Sequence, residues 1–175
     1  MPKSIDQLRR DAKALKKSHA AEDVDAIARV AKVFGPRAAL SHAEALHLVA
    51  REAGFESWPK LKFALEAASL NREEKLERLK MALFHGQGWR IERLLADAPE
   101  LARDNLGVMC ALYDADGVRA ALEANPQAIH AKVLGPRTPI LHLAFSRWWK
   151  HGGTEEAMLA TAKILKDAGA DLNDT

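Results

Sequence analysis

Cysteine is almost absent from this sequence, which contains only Cys110 among its 175 residues. A single cysteine excludes an internal disulfide and any zinc site built from several cysteines. Cys110 lies in the apolar segment 108–112, so we expect a buried thiol rather than a nucleophile. A chain of this composition is typical of a reducing compartment, and the sequence therefore predicts a cytoplasmic protein.

Long apolar runs and a strong excess of one charge are also missing. No segment approaches the roughly 18 consecutive apolar residues of a membrane-spanning helix, and no apolar core of a signal peptide follows the first residues. We therefore expect no membrane association. The formal net charge of +2 is too small to predict a polyanionic partner by itself. The apolar content of 48% favours a folded domain over a disordered chain.

Motifs of catalysis and metal binding are missing too. His42 and His47 lie five residues apart, which is not the spacing that places two zinc ligands on one helix face. There is no Gly-x-Ser-x-Gly elbow, and Gly86-Gln87-Gly88 follows no strand, so it predicts a turn between helices instead of a phosphate loop. The sequence therefore predicts no enzyme activity, with no catalytic, cofactor-binding or metal-binding residue.

Apolar residues recur at helical spacing along most of the chain, and alternating runs typical of strands are absent. The first helix is predicted over residues 4–19. Capping boxes at Ser41 with Glu44 and at Asn71 with Glu74 predict two later helix starts. Asp23 and Ser57 are expected to begin two more, and Gly35 and Gly54 to end helices. The residues expected on buried sides are Leu8, Ala12, Leu15, Val24, Ile27, Val30, Ala31, Leu46, Val49, Ala50, Leu61, Phe63, Leu65, Ala68, Leu76, Leu79 and Leu83.

A split motif stands near the end of the chain. A Thr-Pro-Ile-Leu-His segment is followed by Ile-Leu-Lys-Asp-Ala-Gly-Ala-Asp-Leu-Asn. It resembles the ankyrin repeat, in which Thr-Pro-Leu-His opens the first helix of a pair and Leu-Leu-x-x-Gly-Ala-Asp-x-Asn closes the second. The resemblance implies a solenoid of helix pairs, and it implies that the histidine hydrogen-bonds near the threonine and ties adjacent units together. The residues that carry it are Thr138, Pro139, His142, Gly169, Asp171 and Asn173.

Weaker copies of the second half of the motif precede it. Segments 93–99 and 119–126 share a helix end followed by proline, and the same register returns at 162–169. The first interval is shorter and the second longer than the roughly 33 residues of an ankyrin unit, and the longer one predicts an insertion around residues 147–153. We expect two to three degenerate ankyrin-like units over residues 71–175.

Residues 1–70 carry a different pattern. The segment from residue 41 to residue 61 is similar to a short helical segment found beside ankyrin repeats in many bacterial proteins. A solenoid needs its first exposed helix covered, so we expect residues 1–70 to form a helical cap. As a whole the chain resembles a bacterial ankyrin-repeat-containing protein with degenerate repeats.

The resemblance implies non-catalytic binding of a protein partner through a stiff helical-repeat surface. Trp58 and Trp89 stand at apolar periodicity beside turns and are expected in the core. Trp148 and Trp149 are adjacent, so a helix cannot bury both against one neighbour. Tryptophan and arginine are favoured anchors at interfaces. The candidate contact residues are Arg137, Arg147, Trp148, Trp149, Arg103 and Asp104.

Nucleic-acid binding is the alternative function. The first helix is rich in lysine and arginine, and residues 45–68 form a helix-turn-helix pattern. The second helix of that pattern offers mainly Lys60 and Lys62, and it has no side chain suited to reading base edges. A charged face on an end helix is usually solvated, so this reading ranks below protein binding.

The last helix suggests a second surface. Leu159, Ile164 and Leu165 recur on it, and no further unit follows in the sequence to cover them. A terminal repeat normally has a polar outer face. Either these residues pack inward, or the C-terminal edge is a surface for self-association.

Overall fold

Helices form the fold throughout residues 3–174, the part of the chain that the structure, a computed structural model, describes. These residues form no β-strand, which confirms the predicted all-α class. None of the described helices combines the length and the apolar character needed to cross a bilayer. The chain divides into two compact units, Met1–Ser69 and Leu70–Thr175.

The N-terminal unit is built around α1, which packs against both α2 and α3, while α3 packs against α4. Its core contains Leu15, Val30, Leu48 and Leu61. A glycine in the left-handed region, Gly54 with φ of +84°, provides the turn between α3 and α4. The helices of this unit are α1 (Ile5–Ala20), α2 (Val24–Phe34), α3 (His42–Glu52) and α4 (Trp58–Ala68).

Helix starts in the sequence were well marked. Ser41 Oγ accepts the Glu44 backbone N–H at 3.2 Å, and the Glu44 carboxylate accepts the Ser41 N–H at 2.8 Å. The same reciprocal pair links Asn71 and Glu74, so both predicted capping boxes are confirmed. Ser57 precedes α4 as predicted, but its side chain makes no capping hydrogen bond.

The buried side of α2 differs from the predicted one. Val24 and Ile27 are 78% and 42% exposed, whereas Ala26 and Val30 are buried. The prediction is wrong for the first two residues because the apolar arc of α2 is wider than the side that its neighbours cover. Among the other residues expected on buried sides, Ala31, Leu46 and Leu65 are half-buried and Ala68 is exposed.

The C-terminal unit consists of helix pairs. In each pair the two helices pack together: α5 with α6, α7 with α8, and α9 with α10. Between pairs, α7 packs against both α5 and α9, and α8 packs against α10. The helices are α5 (Arg72–His85), α6 (Gly88–Asp97), α7 (Leu106–Ala111), α8 (Ala115–Ala124), α9 (Pro139–Phe145) and α10 (Glu155–Asp167), with 3₁₀ turns at Pro99–Arg103, Pro126–His130 and Trp148–Lys150.

The weak sequence repeats correspond to one repeated local structure. Both α6 and α8 end in a residue with extended φ, Ala98 at −148° and Asn125 at −146°. In each case a proline then begins a 3₁₀ turn. The last helix ends differently, since α10 runs into Gly169, whose φ is +90°.

The outer side of α10 carries little apolar surface. Leu165 is fully buried and Ile164 is half-buried, so both pack inward. Leu159 is 56% exposed, and the exposed residues one turn away from it are Glu155, Glu156 and Lys163. The predicted C-terminal edge therefore retains one exposed leucine on this helix.

Candidate interaction surface

Arg137 lies between two aromatic rings. Its guanidinium carbon is 4.9 Å from the centroid of the Phe84 ring and 4.8 Å from that of Phe145. The two rings belong to the ends of α5 and α9, and their centroids are 6.1 Å apart. The helix between them, α7, packs against both α5 and α9. Contact with two ring faces holds the arginine in place while Phe145 remains 46% exposed.

The predicted insertion is anchored on the turn between α5 and α6. The Arg147 N–H donates to the Leu83 carbonyl at 2.9 Å. His151 Nε2 lies 2.7 Å from Gly86 O and 3.1 Å from Gly88 N. A Cβ on Gly88 would come within 2.3 Å of the His151 ring, so this docking requires glycine there.

Trp148 and Trp149 have opposite environments. The Trp148 ring packs against the core of the C-terminal unit, and a Cβ on Gly152 would lie 2.3 Å from it. Its backbone N–H also donates to Ser146 Oγ at 3.2 Å. Trp149 is 57% exposed, with Lys150 Nζ 5.2 Å from its ring centroid. Trp149 is therefore the member of the pair that a partner can reach. The other two tryptophans, Trp58 and Trp89, are half-buried.

These side chains form one surface at the ends of α5 and α9 and on the insertion. The three cations of this surface, Arg137, Arg147 and Lys150, form no ion pair with any residue in the described part of the chain. Cations without carboxylate partners beside exposed rings can engage an acidic and apolar partner. We call this surface the aromatic–cationic face, and its residues are Phe84, Arg137, Phe145, Arg147, Trp149 and Lys150.

Two candidate contact residues, Arg103 and Asp104, form ion pairs with residues outside the aromatic–cationic face. Arg103 donates to both carboxylate oxygens of Asp114, at 2.7 and 3.3 Å. Burial alone would raise the pKa of Asp114, but the hydrogen bonds from Arg103 and from the Gly117 N–H lower it. Asp104 is largely buried and forms an ion pair with Arg72. No hydrogen bond, ion pair or ring contact of the described residues joins Arg103 or Asp104 to the aromatic–cationic face.

His142 is buried, but its partner is not the one expected. Its Nε2 lies 2.8 Å from the Val133 carbonyl, and Thr138 bonds instead to the Asp174 carboxylate. The imidazole therefore bonds to the loop before α9, and it is the His142 backbone N–H that donates to the Thr138 carbonyl, at 3.2 Å. The reason is that the loop before α9 folds back, with the Val133 N–H donating to Arg137 O at 3.1 Å. Burial lowers the pKa of His142, although the Val133 hydrogen bond opposes the shift.

The remaining motif residues shape the ends of α9 and α10. Pro139 is the first residue of α9, where a missing backbone N–H costs no hydrogen bond. Beyond Gly169, the Asp171 side chain accepts the Asn173 N–H at 2.9 Å and forms a tight turn. These residues set local geometry and do not join the aromatic–cationic face.

Groups suited to catalysis do not converge in the described residues. Cys110 is fully buried, as predicted, and burial raises the pKa of its thiol to about 12. Across residues 3–174, no three His, Cys, Asp or Glu side chains are arranged to hold a metal ion.

Sequence reasoning missed Phe84, Phe145 and Lys150 as members of the face. The two phenylalanines meet Arg137 only through tertiary packing, so no local pattern indicated them, whereas Lys150 stood inside the insertion already singled out. Searches with this chain match no family model, no curated protein and no solved structure.

Proposed function

We propose that this chain is a non-catalytic protein-interaction module that binds its partner through the aromatic–cationic face. One observation carries the proposal: three cations without ion pairs lie next to aromatic rings on one surface. The cations are Arg137, Arg147 and Lys150, and the rings are those of Phe84, Phe145 and Trp149. Exposed aromatic and arginine side chains are the residues that most often dominate binding energy. The matching partner surface is acidic and carries apolar side chains.

We infer that the C-terminal unit is a solenoid of degenerate ankyrin-like helix pairs and that the N-terminal unit is its helical cap. The packing of three successive helix pairs supports this inference, as do the repeated proline-initiated turns after α6 and α8. A cytoplasmic location fits the single buried cysteine.

Preorganisation is the mechanism by which so few residues suffice. Arg137 is already fixed between two rings, and the insertion that carries Trp149 is fixed by hydrogen bonds to Leu83 and Gly86. Side chains that are ordered before binding lose little entropy when a partner docks. The surface can therefore bind without a conformational change in the helices.

The test is capture of a partner on the immobilised chain, followed by affinity measurement with the purified partner. Replacing Trp149 and Arg147 together with alanine should weaken binding by about 30-fold or more, the effect of losing an interfacial anchor. Both side chains are exposed, so the helical content measured by circular dichroism should not change.

A matched control removes one apolar and one cationic side chain elsewhere on the same unit. Leu159→Ala with Arg119→Ala does this, since both residues are exposed and neither belongs to the face. Binding should be retained in the control. Equal affinities for wild type and the Trp149–Arg147 variant would reject the face as the binding site.

Nucleic-acid binding is a second candidate because the basic residues of α1 share one exposed side. Arg9, Lys13 and Lys16 lie there, beside the buried side of α1, and Arg9 also forms an ion pair with Asp6. Binding through the helix-turn-helix pattern of α3 and α4 has weaker support than binding through α1. In α4, Lys60 and Lys62 form ion pairs with Glu56 and Glu66 and are not free to contact phosphates.

Salt dependence tests this candidate. Binding to random duplex DNA through α1 should fall steeply as salt rises, and Lys13→Glu with Lys16→Glu should remove it. Absence of binding at low salt would reject nucleic acid as a partner while leaving the protein-binding proposal intact.

A further inference from the structure

A cleft of about 620 Å³ opens between α2 and α3 in the N-terminal unit. One turn of α2 lines it with Arg29, Lys32 and Val33, and one turn of α3 lines it with His47 and Arg51. Its volume falls within the roughly 300–1,000 Å³ typical of ligand-binding clefts.

The charge of the cleft is unbalanced. Glu52 is the one carboxylate among its lining residues, and each of its oxygens accepts a hydrogen bond from Arg29 at 2.8 Å. Lys32 and Arg51 are exposed and form no ion pair within the described part of the chain. Since Arg29 neutralises Glu52, Lys32 and Arg51 are the cations left without an ion pair at the cleft, and the charge of Arg51 also acts on Glu56, which lies just before α4.

The wall between these charges is apolar. Val33 is 37% exposed, and Phe34 is half-buried beside it. The Phe34 ring is already in contact with other groups: the Arg37 guanidinium is 4.7 Å from its centroid, and the His47 ring centroid is 5.7 Å away. Phe34 is therefore packing surface for an apolar side chain and not a free platform on which a base can stack.

We propose that this cleft binds an acidic peptide segment of a partner protein, with one apolar side chain against Val33 and Phe34. Carboxylates on either side of that side chain would pair with Lys32 and Arg51. A nucleic-acid strand fits less well, because a phosphate chain needs a longer series of cations and a ring face on which a base can stack. The site goes beyond the proposed function, since it lies in the other unit and shares no residue with the aromatic–cationic face.

The experiment uses a fluorescent peptide with three acidic residues on each side of one phenylalanine, and anisotropy as the readout. It is carried out on the full chain with Arg147→Ala and Lys150→Ala, which removes cations of the aromatic–cationic face. Adding Lys32→Glu and Arg51→Glu should weaken binding by about tenfold or more, because two attractive charge pairs become repulsive. The same peptide with glycine in place of phenylalanine should bind more weakly to the parent chain.

The matched control, Lys163→Glu with Lys166→Glu, makes the same change in net charge at two exposed positions of α10. It should alter affinity by less than about twofold at physiological salt. Three results would overturn the proposal: no peptide binding by the parent chain, an equal loss in the control, or tighter binding of a single-stranded oligothymidylate than of the peptide. The first two would leave the proposed function of the aromatic–cationic face untouched.

Discussion

Cys110 shows how burial alone settles the chemistry of a side chain. No charged group or hydrogen bond accounts for its raised pKa of about 12, which follows from burial among apolar neighbours. The thiolate is the reactive form, so we expect alkylation of the folded protein at pH 8 to be at least about 100-fold slower than in denaturant. Mass spectrometry after iodoacetamide treatment measures this rate. Rapid labelling under native conditions would contradict a buried thiol.

His142 should make stability depend on pH. Because its pKa is lowered from 6.5 in the folded chain, the unfolded chain takes up the proton first as pH falls. The free energy of unfolding should therefore decrease as pH drops below about 6.5 and level off once the folded ring is also protonated. Carboxylates with lowered pKa, such as Asp114, lose their contribution only at lower pH.

Melting temperatures between about pH 8 and pH 5 test this linkage. His142→Gln keeps an N–H donor near the Val133 carbonyl but cannot titrate, so its curve should be flatter than that of wild type. His130→Gln removes an exposed histidine and is the matched control. Identical pH profiles for wild type and His142→Gln would contradict the assignment.

At the scale of helices, two serines in equivalent positions offer a direct comparison. Ser41 caps α3 through its hydroxyl, whereas Ser57 precedes α4 without a capping hydrogen bond. Ser41→Ala should lower the free energy of unfolding by about 1 kcal/mol, and Ser57→Ala by clearly less. Urea denaturation of both variants measures the difference. Equal losses would mean that the hydroxyl of Ser41 adds nothing to its helix.

The first residue of α6, Gly88, should tolerate no side chain. In Gly88→Ala the new methyl group would overlap the His151 ring, and we expect a loss of about 1–3 kcal/mol in unfolding free energy. Removing the ring should remove the overlap. The same substitution in a His151→Ala background should therefore cost less than about 1 kcal/mol, as a double-mutant cycle would show. Additive effects would indicate that the two residues do not touch.

Helix boundaries could be predicted because their signals are local. The capping boxes at Ser41 and Asn71 are hydrogen bonds between residues three positions apart, so the sequence alone indicates them, and both are present in the structure. The side on which a helix is buried depends on its neighbours, which is why Val24 and Ile27 were misplaced.

The contact surface was predictable only in part for the same reason. The adjacent tryptophans of the insertion made Trp149 a candidate contact residue. The packing of Arg137 against Phe84 and Phe145, which belong to two different helices, follows from the tertiary fold and cannot be predicted from the local sequence. The hydrogen bond between His142 and Val133 could not be predicted either, because Val133 lies in the loop before α9 and the position of that loop depends on the fold.

For the molecule as a whole, self-association through α10 would have to centre on Leu159. One exposed leucine among charged neighbours buries far less than the roughly 1,000 Å² that a stable interface needs. We expect a constant sedimentation coefficient over about a hundredfold range of concentration. An increase with concentration that Leu159→Glu abolishes would instead establish the C-terminal edge as an assembly surface. Met81→Glu, at an exposed apolar residue of α5, serves as the control.

The anchored insertion has a consequence for how the C-terminal unit comes apart. In a row of stacked helix pairs, each pair normally touches only its neighbours, so an end pair can fray while the others stay folded. Here Arg147 and His151, which lie between α9 and α10, bond to Leu83 near the end of α5 and to Gly86 in the turn after it, without passing through the middle pair. Releasing the last pair therefore also breaks contacts of the first. We therefore expect the first and last helix pairs of the C-terminal unit to unfold together, with no state in which only the last pair is open.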